Sequence, residues 1–408
     1  MAQSEQEVLT ARLTQYPVDR YPVQHATTQF HLGSVLLQAG ETDPALAALT
    51  MAREMFRSAG MRLEQAKAAV MLGAGLRLAG RLEEAAETFS AASTELADLD
   101  SPLEQAAAAY NLGLVRQDLG DVEAACAAWA RAMELFLAAN YPAQAGAAAR
   151  DHGAALLAAG RAEESLRLLE EALTLAERAG DEAGAGMAAN ALGLAQMAAD
   201  DPAAAVKSLQ HALGAFPRSI RPAEYAMAKA NLALAHEQAD DPARARLAAR
   251  QALGIPSAAA PVRAQAQAVL SRHPGRPEDD LLAVLDGEDP EQWPRVIREE
   301  VLRVSELSTE HRCALVSGFF DGLLVRTPAM YNLAESLLQV ILELPPRTYQ
   351  QFATAIVQAS ADRPEPDDQR IRAVLASALA RFAIPQWQRL VESLNAAATA
   401  EGQPATWR

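Results

Sequence analysis

The amino-acid sequence predicts an all-α protein whose first two-thirds is a solenoid of helix hairpins. Three observations predict this fold: a small residue that recurs every forty positions, alanines at fixed distances after it, and turn residues with the same period. The recurring position holds, in order, Gly33, Gly73, Gly113, Gly153, Gly193 and Ala233. A fixed period of this length is typical of stacked units that bury a core only against their neighbours.

Each unit combines small residues with one bulky side chain. Small residues recur twelve and nineteen positions after the glycine, as in Ala45 and Ala52 of the first unit. Between them lie, from the first unit to the last, Leu49, Phe89, Trp129, Leu169, Leu209 and Ala249. A small residue lets two crossing helices approach, and a bulky one fills the groove between ridges. We therefore predict that each unit is a helix hairpin and that Trp129 packs between helices.

Turns and helix starts keep the same period. The turn positions hold Gly40, Gly80, Gly120, Gly160, Asp200 and Asp240. An acidic residue followed by proline is typical of an N-cap and the first helical position. The second helices are thus predicted to begin at Asp43-Pro44, Asp201-Pro202 and Asp241-Pro242.

The order of leucine, glycine, alanine, bulky residue and alanine over residues 20–256 resembles the tetratricopeptide repeat (TPR). The forty-residue unit resembles the long-helix variety of that family. His152 and Ala233 depart from the leucine and glycine of the pattern. The resemblance implies an α–α superhelix, a TPR solenoid of six helix hairpins.

The sequence predicts four segments. Residues 1–19 are a lead-in, residues 20–256 form the six units, residues 257–277 form a capping helix (262–272) with a linker, and residues 278–408 form a C-terminal helical domain. Proline turn signals cluster in the third segment, which separates it from the repeats.

The C-terminal segment is predicted to contain three helix pairs, as a HEAT-like or TPR-related array. Breaks at Leu307-Ser308, Leu344-Pro345 and Ile384-Pro385 separate first helices at about 293–306, 328–343 and 368–382 from second helices that begin at Thr309, Pro346 and Gln386. Trp293 and Trp387, each near a helix start, are predicted to anchor the core of this domain.

Composition narrows the class of partner. The net charge of −16 and the absence of a basic run argue against nucleic acid and against an anionic membrane. The start of the chain resembles no signal peptide, which predicts a cytoplasmic protein. Only three of the 36 basic residues are lysine and alanine is abundant, which indicates a GC-rich bacterial genome. Cys126 and Cys313 are predicted to be free thiols.

No sequence motif for catalysis is present. The chain has no phosphate-binding glycine loop, no paired-cysteine metal spacing, no His-Glu-x-x-His and no nucleophile elbow. Its seven histidines are scattered. We therefore expect no enzyme activity, no cofactor and no bound metal.

The TPR resemblance implies that the first helix of each hairpin lines a concave groove where a partner binds. The repeat register gives these groove residues: Phe30, Lys67, Val70, Tyr110, Asn111, Leu114, Arg150, Asp151, Met187, Asn190, Leu194, Met227 and Asn231. The set lacks the lysine and asparagine clamp with which some members of the family hold a terminal carboxylate, which disfavours a chaperone-tail receptor.

The sequence Arg150-Asp151-His152 places polar groups where the other repeats are apolar or neutral. Charge near a core is costly unless it is paired. Arg150 is therefore expected either to form an ion pair with Asp118 or to hold an acidic group of a ligand. Tyr110 is expected either to stack on a partner or to pack between helices.

These observations predict a non-enzymatic interaction protein, a scaffold or adaptor that binds a peptide or helix of another protein in the groove. Two alternatives remain open: a regulator whose superhelix changes shape on binding a peptide or small molecule, and an accessory subunit of a separately encoded enzyme. Homo-oligomerisation through an exposed solenoid end is a further expectation.

Overall fold

A computed structural model describes residues 2–325 and 329–407. These residues form 21 α-helices and one short 3-10 helix, with no strand among them. They divide into two compact units, Met1–Ala215 and Phe216–Arg408. The all-α prediction is confirmed, and each unit is described by itself below.

The first unit contains helices α1 to α11. Their bounds are α1 Ala2–Gln15, α2 Pro22–Gln38, α3 Thr42–Ser58, α4 Arg62–Leu78, α5 Leu82–Asp98, α6 Pro102–Asp118, α7 Val122–Ala138, α8 Pro142–Ala158, α9 Ala162–Ala179, α10 Glu182–Ala198 and α11 Pro202–Ala215. From α2 onward a helix begins every twenty residues, and each packs against the helices before and after it. The forty-residue period therefore corresponds to two helices, and the unit is an α–α repeat of five hairpins preceded by α1.

The recurring glycines lie where the two helices of a hairpin cross. A β-carbon at Gly33 would lie 2.5 Å from Leu49 Cγ, and one at Gly153 would lie 2.8 Å from Leu169 Cγ. Both distances are far inside van der Waals contact. The predicted pairing of a small residue with a bulky one is confirmed.

The turns between helices use left-handed residues with a twenty-residue period. Backbone φ is positive at Gly40, Gly60, Gly80, Asp100, Gly120, Asn140, Gly160, Gly180, Asp200 and Asp240. Glycine adopts this conformation freely, and asparagine and aspartate tolerate it better than other side chains. Only the turns within hairpins were predicted from the sequence, whereas the same backbone geometry also joins successive hairpins.

Two of the three predicted starts of second helices are confirmed. Asp201 and Asp241 each precede a helix and accept a hydrogen bond from the backbone N–H three residues later, at 2.9 and 3.0 Å. The third was wrong, because α3 begins at Thr42 and Asp43 lies inside its first turn. The carboxylate still lies close to the positive end of the helix dipole.

The second unit contains helices α12 to α21. Their bounds are α12 Pro222–Gln238, α13 Pro242–Leu253, α14 Ala260–Arg272, α15 Pro277–Asp286, α16 Trp293–Ser305, α17 Thr309–Val325, α18 Met330–Leu342, α19 Pro346–Ala361, α20 Glu365–Leu379 and α21 Ile384–Ala400. The predicted capping helix is α14, which packs against α12 and α13. The boundaries of the four segments predicted from the sequence were based on the repeat pattern, and they stay predictions.

Helices α12 and α13 form the sixth hairpin of the repeat. Ion pairs connect this hairpin to later helices of the second unit. The carboxylate of Asp280 in α15 is 1% exposed and accepts hydrogen bonds from Arg246 and Arg250 of α13. Lys229 of α12 lies 2.5 Å from Glu299 of α16. Removing one partner of such a buried pair is costly, so these contacts hold α12 and α13 against the C-terminal helices.

Alternate helices in the C-terminal part pack side by side, α16 with α18, α17 with α19, α18 with α20 and α19 with α21. Their shared core includes Phe319, Phe320, Phe352 and Leu390. Helices α16 to α21 lie where the three helix pairs were predicted, and the predicted start at residue 328 lies outside the described residues. Their grouping into pairs stays a prediction. The predicted break at Ile384-Pro385 coincides with the start of α21, which begins at Ile384 rather than at the predicted Gln386 and has proline in its first turn.

Both tryptophans predicted to anchor the C-terminal core contact it. Trp293 is buried, and its Nε1 donates a hydrogen bond to the carbonyl of Leu285 at 2.9 Å. Trp387 is half-buried and packs against the same core. Leu285 belongs to α15, a helix that the sequence analysis did not predict, as it did not predict α1.

Candidate functional site

The first helices of the hairpins in the first unit are α2, α4, α6, α8 and α10. We call the side of these helices that does not pack against the second helices the first-helix face. Most predicted groove residues lie half-buried on it: Phe30, Lys67, Val70, Tyr110, Asn111, Leu114, Arg150, Asp151, Met187 and Leu194. Asn190, also on α10, is buried. Met227 and Asn231 lie on α12, in the second unit.

Two ion pairs cross from α4 to α6. Lys67 Nζ lies 3.0 Å from Glu104 Oε1, and Arg77 Nε donates to Asp118 Oδ2 at 2.6 Å. Each pair is part-exposed, so each contributes little to stability. Their effect is geometric, because each fixes a long side chain across the boundary between hairpins.

A third polar link joins α6 to α8. The hydroxyl of Tyr110 donates to Asp151 Oδ2 at 2.6 Å, and Arg150 donates to Asp151 Oδ1 from Nε at 3.0 Å and from its terminal nitrogen at 2.8 Å. Burial, together with the hydrogen bond to Asp151, raises the pKa of the Tyr110 phenol. Tyr110 therefore remains a donor, and the three side chains form one fixed cluster.

The expected ion pair between Arg150 and Asp118 does not form. Asp118 is engaged by Arg77, and the carboxylate of Asp151 is close enough to take two guanidinium hydrogen bonds. The broader expectation, that Arg150 is paired within the protein, is consistent with this cluster. Tyr110 also packs against the cores around Phe136 and Trp129, so its ring lies between helices.

A small apolar pocket opens between α2 and α4. Phe30 and Phe56 line it, with Thr27, His31, Glu64 and Lys67 around them, and its volume is 190 Å³. The surface inside is almost entirely apolar, while Lys67 places a positive charge at its edge. The pocket is suited to one apolar side chain next to an acidic group.

The asparagines in the predicted set are not presented for binding. Asn111 donates to the carbonyl of Ala107 in its own helix at 2.8 Å. Asn190 and Asn231 are only 5% and 7% exposed. Asn231 accepts a hydrogen bond from Gln265 of α14 at 2.9 Å. These three asparagines therefore do not form a row of exposed side-chain amides along the first helices.

His152 occupies the position that holds leucine in the other repeats. Its Nδ1 is buried and has no hydrogen-bond partner. Burial and the nearby Arg161 lower the pKa of the imidazole, which favours the neutral form. His152 therefore acts as a poorly satisfied core residue rather than as part of the exposed face.

Sequence reasoning missed the two ion pairs between α4 and α6. Glu104, Asp118 and Arg77 were not in the predicted set, yet they fix the side chains around it. The signal was present as opposite charges 37 and 41 residues apart on consecutive first helices. A search for charge pairs at about one repeat length finds them.

The first unit also contains two larger depressions. One, of 550 Å³, is lined by residues of α9 to α11, including Glu177 and His211; the other, of 700 Å³, lies against α1 and Glu41. Both are wide open to solvent. Within the described residues no three His, Cys, Asp or Glu side chains are grouped as a metal would need, and no helix has the length and apolarity required to cross a membrane.

No protein-family model matches the chain, and no curated protein matches it. Among solved structures, it is similar to BtubC (BKLC) from P. vanneervenii, with 17% identity and a TM-score of 0.46 over 52% of this chain and 87% of that one. It is also similar to the apo form of RapI, with 12% identity and a TM-score of 0.44 over 99% of both chains. Similarity at this level identifies neither a family nor a function.

Proposed function

We propose that this chain is a non-enzymatic scaffold or adaptor of the TPR type, which binds a peptide or helix of a partner protein on the first-helix face. The observation that carries the proposal is the Tyr110–Asp151–Arg150 cluster, whose side chains are fixed by hydrogen bonds across two hairpins. A surface fixed before binding loses less conformational entropy when a partner docks.

The composition of the face supports a peptide partner. Half-buried apolar side chains, such as Val70, Leu114 and Leu194, lie on the same face as the fixed polar groups. An amphipathic helix or extended segment is recognised by such a combination, in which apolar contacts supply affinity and oriented polar groups supply register.

The size of the pocket between Phe30 and Phe56 favours a peptide over a free small molecule. Its volume of 190 Å³ lies below the roughly 300–1,000 Å³ of typical small-molecule sites. It is suited to a single apolar side chain, which a peptide delivers along with main-chain contacts. This pocket is therefore suited to a peptide side chain rather than to a free small molecule.

The charge and the motifs support the other parts of the proposal. A net charge of −16 disfavours nucleic acid as the partner. The Tyr110 cluster has no catalytic character, because Asp151 is engaged by two partners and the phenol is held protonated.

The test is an affinity capture from a lysate of the producing organism with three full-length proteins. The first is unaltered, and the second carries Lys67→Ala and Arg150→Ala on the first-helix face. The third carries Arg131→Ala and Lys207→Ala, which remove the same charge from exposed sites on the second helices α7 and α11. Captured proteins are identified by mass spectrometry.

We expect a partner that the unaltered chain and the α7/α11 variant retain and the first-helix variant loses at least tenfold. Circular dichroism melting should show that both variants are folded, since every changed side chain is at least part-exposed. Equal capture by all three proteins would show that binding takes place elsewhere.

A further inference from the structure

Residues 402–407 form an irregular segment that follows α21 and is fixed chiefly at one residue. Residues 404–406 are exposed, whereas Trp407 is 5% exposed and belongs to the core of the second unit. Gly402, with φ of +70°, turns the chain back after the helix. The segment is thus a short strap whose indole fills a pocket.

Asn395 of α21 holds the main chain of this strap at two points. Its Oδ1 accepts a hydrogen bond from the Trp407 N–H at 3.0 Å, and its Nδ2 donates to the Trp407 carbonyl at 3.0 Å. A side-chain amide that bonds both groups of one residue recognises an extended backbone whatever its sequence. This part of the site is therefore independent of the indole.

The indole is recognised by a side chain that is itself fixed. The guanidinium of Arg372 lies over the Trp407 ring, 4.2 Å from its centroid. Arg372 Nε donates to both carboxylate oxygens of Asp368 at 2.9 and 2.8 Å, and Ser360 donates to the same carboxylate. Cation–π contacts of this kind favour aromatic side chains. The pocket is thus built from α19, α20 and α21.

The hydrogen bonds between the strap and this pocket are incomplete. Trp407 Nε1 is buried without a hydrogen-bond partner. An unpaired buried donor is unfavourable, which offsets part of the gain from burying the ring. The other contacts of the strap are few: the Gln403 N–H donates to the Ala398 carbonyl at 2.8 Å, and Arg372 reaches the Thr406 hydroxyl at 3.4 Å.

We propose that the pocket formed by Asn395 and Arg372 is a docking site for an extended peptide of a partner protein with an aromatic anchor, and that residues 402–407 occupy it in cis. The occupant is defined by what the site contacts: one residue's main-chain N–H and carbonyl, and one aromatic ring beneath a guanidinium. This inference does not rest on the proposed function of the first-helix face.

The effective concentration of the strap explains why the site must be emptied to be measured. A tether this short holds its end at a millimolar effective concentration, so a free peptide competes poorly with it. Trp407→Ala in the full chain removes the indole and leaves Asn395 and Arg372 in place. Trp407→Phe is the matched control, since it keeps the pocket filled by an aromatic ring.

The probe is a fluorescein-labelled peptide with the sequence of residues 403–407, Gln-Pro-Ala-Thr-Trp, with both ends blocked. We expect saturable binding by fluorescence anisotropy to Trp407→Ala, and at least tenfold weaker binding to the unaltered chain and to Trp407→Phe. A second peptide with alanine in place of tryptophan should not bind. Adding Asn395→Ala to Trp407→Ala should abolish binding.

A folded Trp407→Ala protein that does not bind the peptide, or binding that survives Asn395→Ala, would overturn the proposal. If Trp407→Ala does not fold, hydrogen exchange at the Trp407 amide of the unaltered chain decides the question. Exchange that accelerates with millimolar peptide supports displacement of the strap, and unchanged exchange refutes it. A dimer of the unaltered chain that Trp407→Ala abolishes would instead assign the site to a second copy.

Discussion

Gly113 of α6 faces the indole of Trp129 in α7 so closely that a β-carbon on the glycine would lie 2.5 Å from the indole nitrogen. Trp129 is fully buried, and its ring fills the space that the missing side chain leaves. The same relationship joins Gly73 to Phe89 and Gly193 to Leu209. The hairpins of the first unit are therefore held at a spacing that only glycine permits.

Gly113→Ala should destabilise the protein by about 1–3 kcal/mol, the usual cost of overpacking a filled core. The indole has no room to move, because it is buried among Ala125, Ala155 and Leu156. Urea denaturation followed by circular dichroism measures the loss. Gly214→Ala is the matched control: Gly214 lies in α11 with no atom within 4 Å of the β-carbon position.

The control variant should be neutral or more stable by about 0.5–1 kcal/mol, since alanine is the better helix former. If both variants lose the same stability, the close approach to Trp129 is not the cause.

The repeat was predictable from sequence because glycine and bulky residues at fixed spacing encode backbone approach directly. The sixteen-residue spacing from Gly33 to Leu49 recurs from Gly73 to Phe89 and from Gly113 to Trp129. The partners of charged groove residues were not predictable in this way. Arg150 bonds to Asp151 rather than Asp118 because Arg77 already engages Asp118, and such competition is decided by three-dimensional distances.

Helices without a repeat signal were also missed. Helix α15 contains a buried Asp280, whose charge makes the segment resemble a loop until Arg246 and Arg250 are placed beside it. The start of α21 was predicted at Gln386, whereas the helix begins two residues earlier and has Pro385 in its first turn. In both cases the local sequence does not fix where the helix lies, and tertiary contacts determine it.

Gly120→Ala should cost about 1 kcal/mol, because Gly120 has a φ of +79° and alanine disfavours that region. No atom lies within 4 Å of its β-carbon position, so the cost comes from the backbone alone. Asn140→Gly, at the equivalent turn after α7 with a φ of +63°, should preserve or raise stability. Thermal melting of both variants tests the sign, and a destabilised Asn140→Gly contradicts this account.

His152→Leu should stabilise the protein by about 1–2 kcal/mol. The change removes a buried Nδ1 without a hydrogen-bond partner and restores the leucine found at Leu112 and Leu192. Denaturant midpoints at neutral pH measure the gain. His152→Gln, which keeps a polar group at this position, should show no such gain; a loss of stability in His152→Leu would show that the imidazole makes a favourable contact.

Acidification should destabilise the second unit through His236 of α12, which is 8% exposed. Burial, and secondarily Arg244 and Lys229, lower the pKa of this imidazole to about 4, against the opposing effect of Asp241. Between pH 6.5 and 4 the unfolded chain binds a proton that the folded chain does not, so stability falls as the pH falls. The full loss of folding stability from His236 is about 3 kcal/mol. It is absent above pH 6.5, where the imidazole is neutral in both the folded and the unfolded chain.

His236→Leu should remove this component of the pH dependence. Denaturant unfolding at pH 7.0, 6.0, 5.0 and 4.5 gives the slope of stability against pH, which should be shallower in the variant because carboxylates elsewhere still titrate. His31→Gln, on the exposed side of α2, is the matched control and should keep the slope of the unaltered protein. If His236→Leu keeps that slope as well, the imidazole is not held neutral by burial in α12.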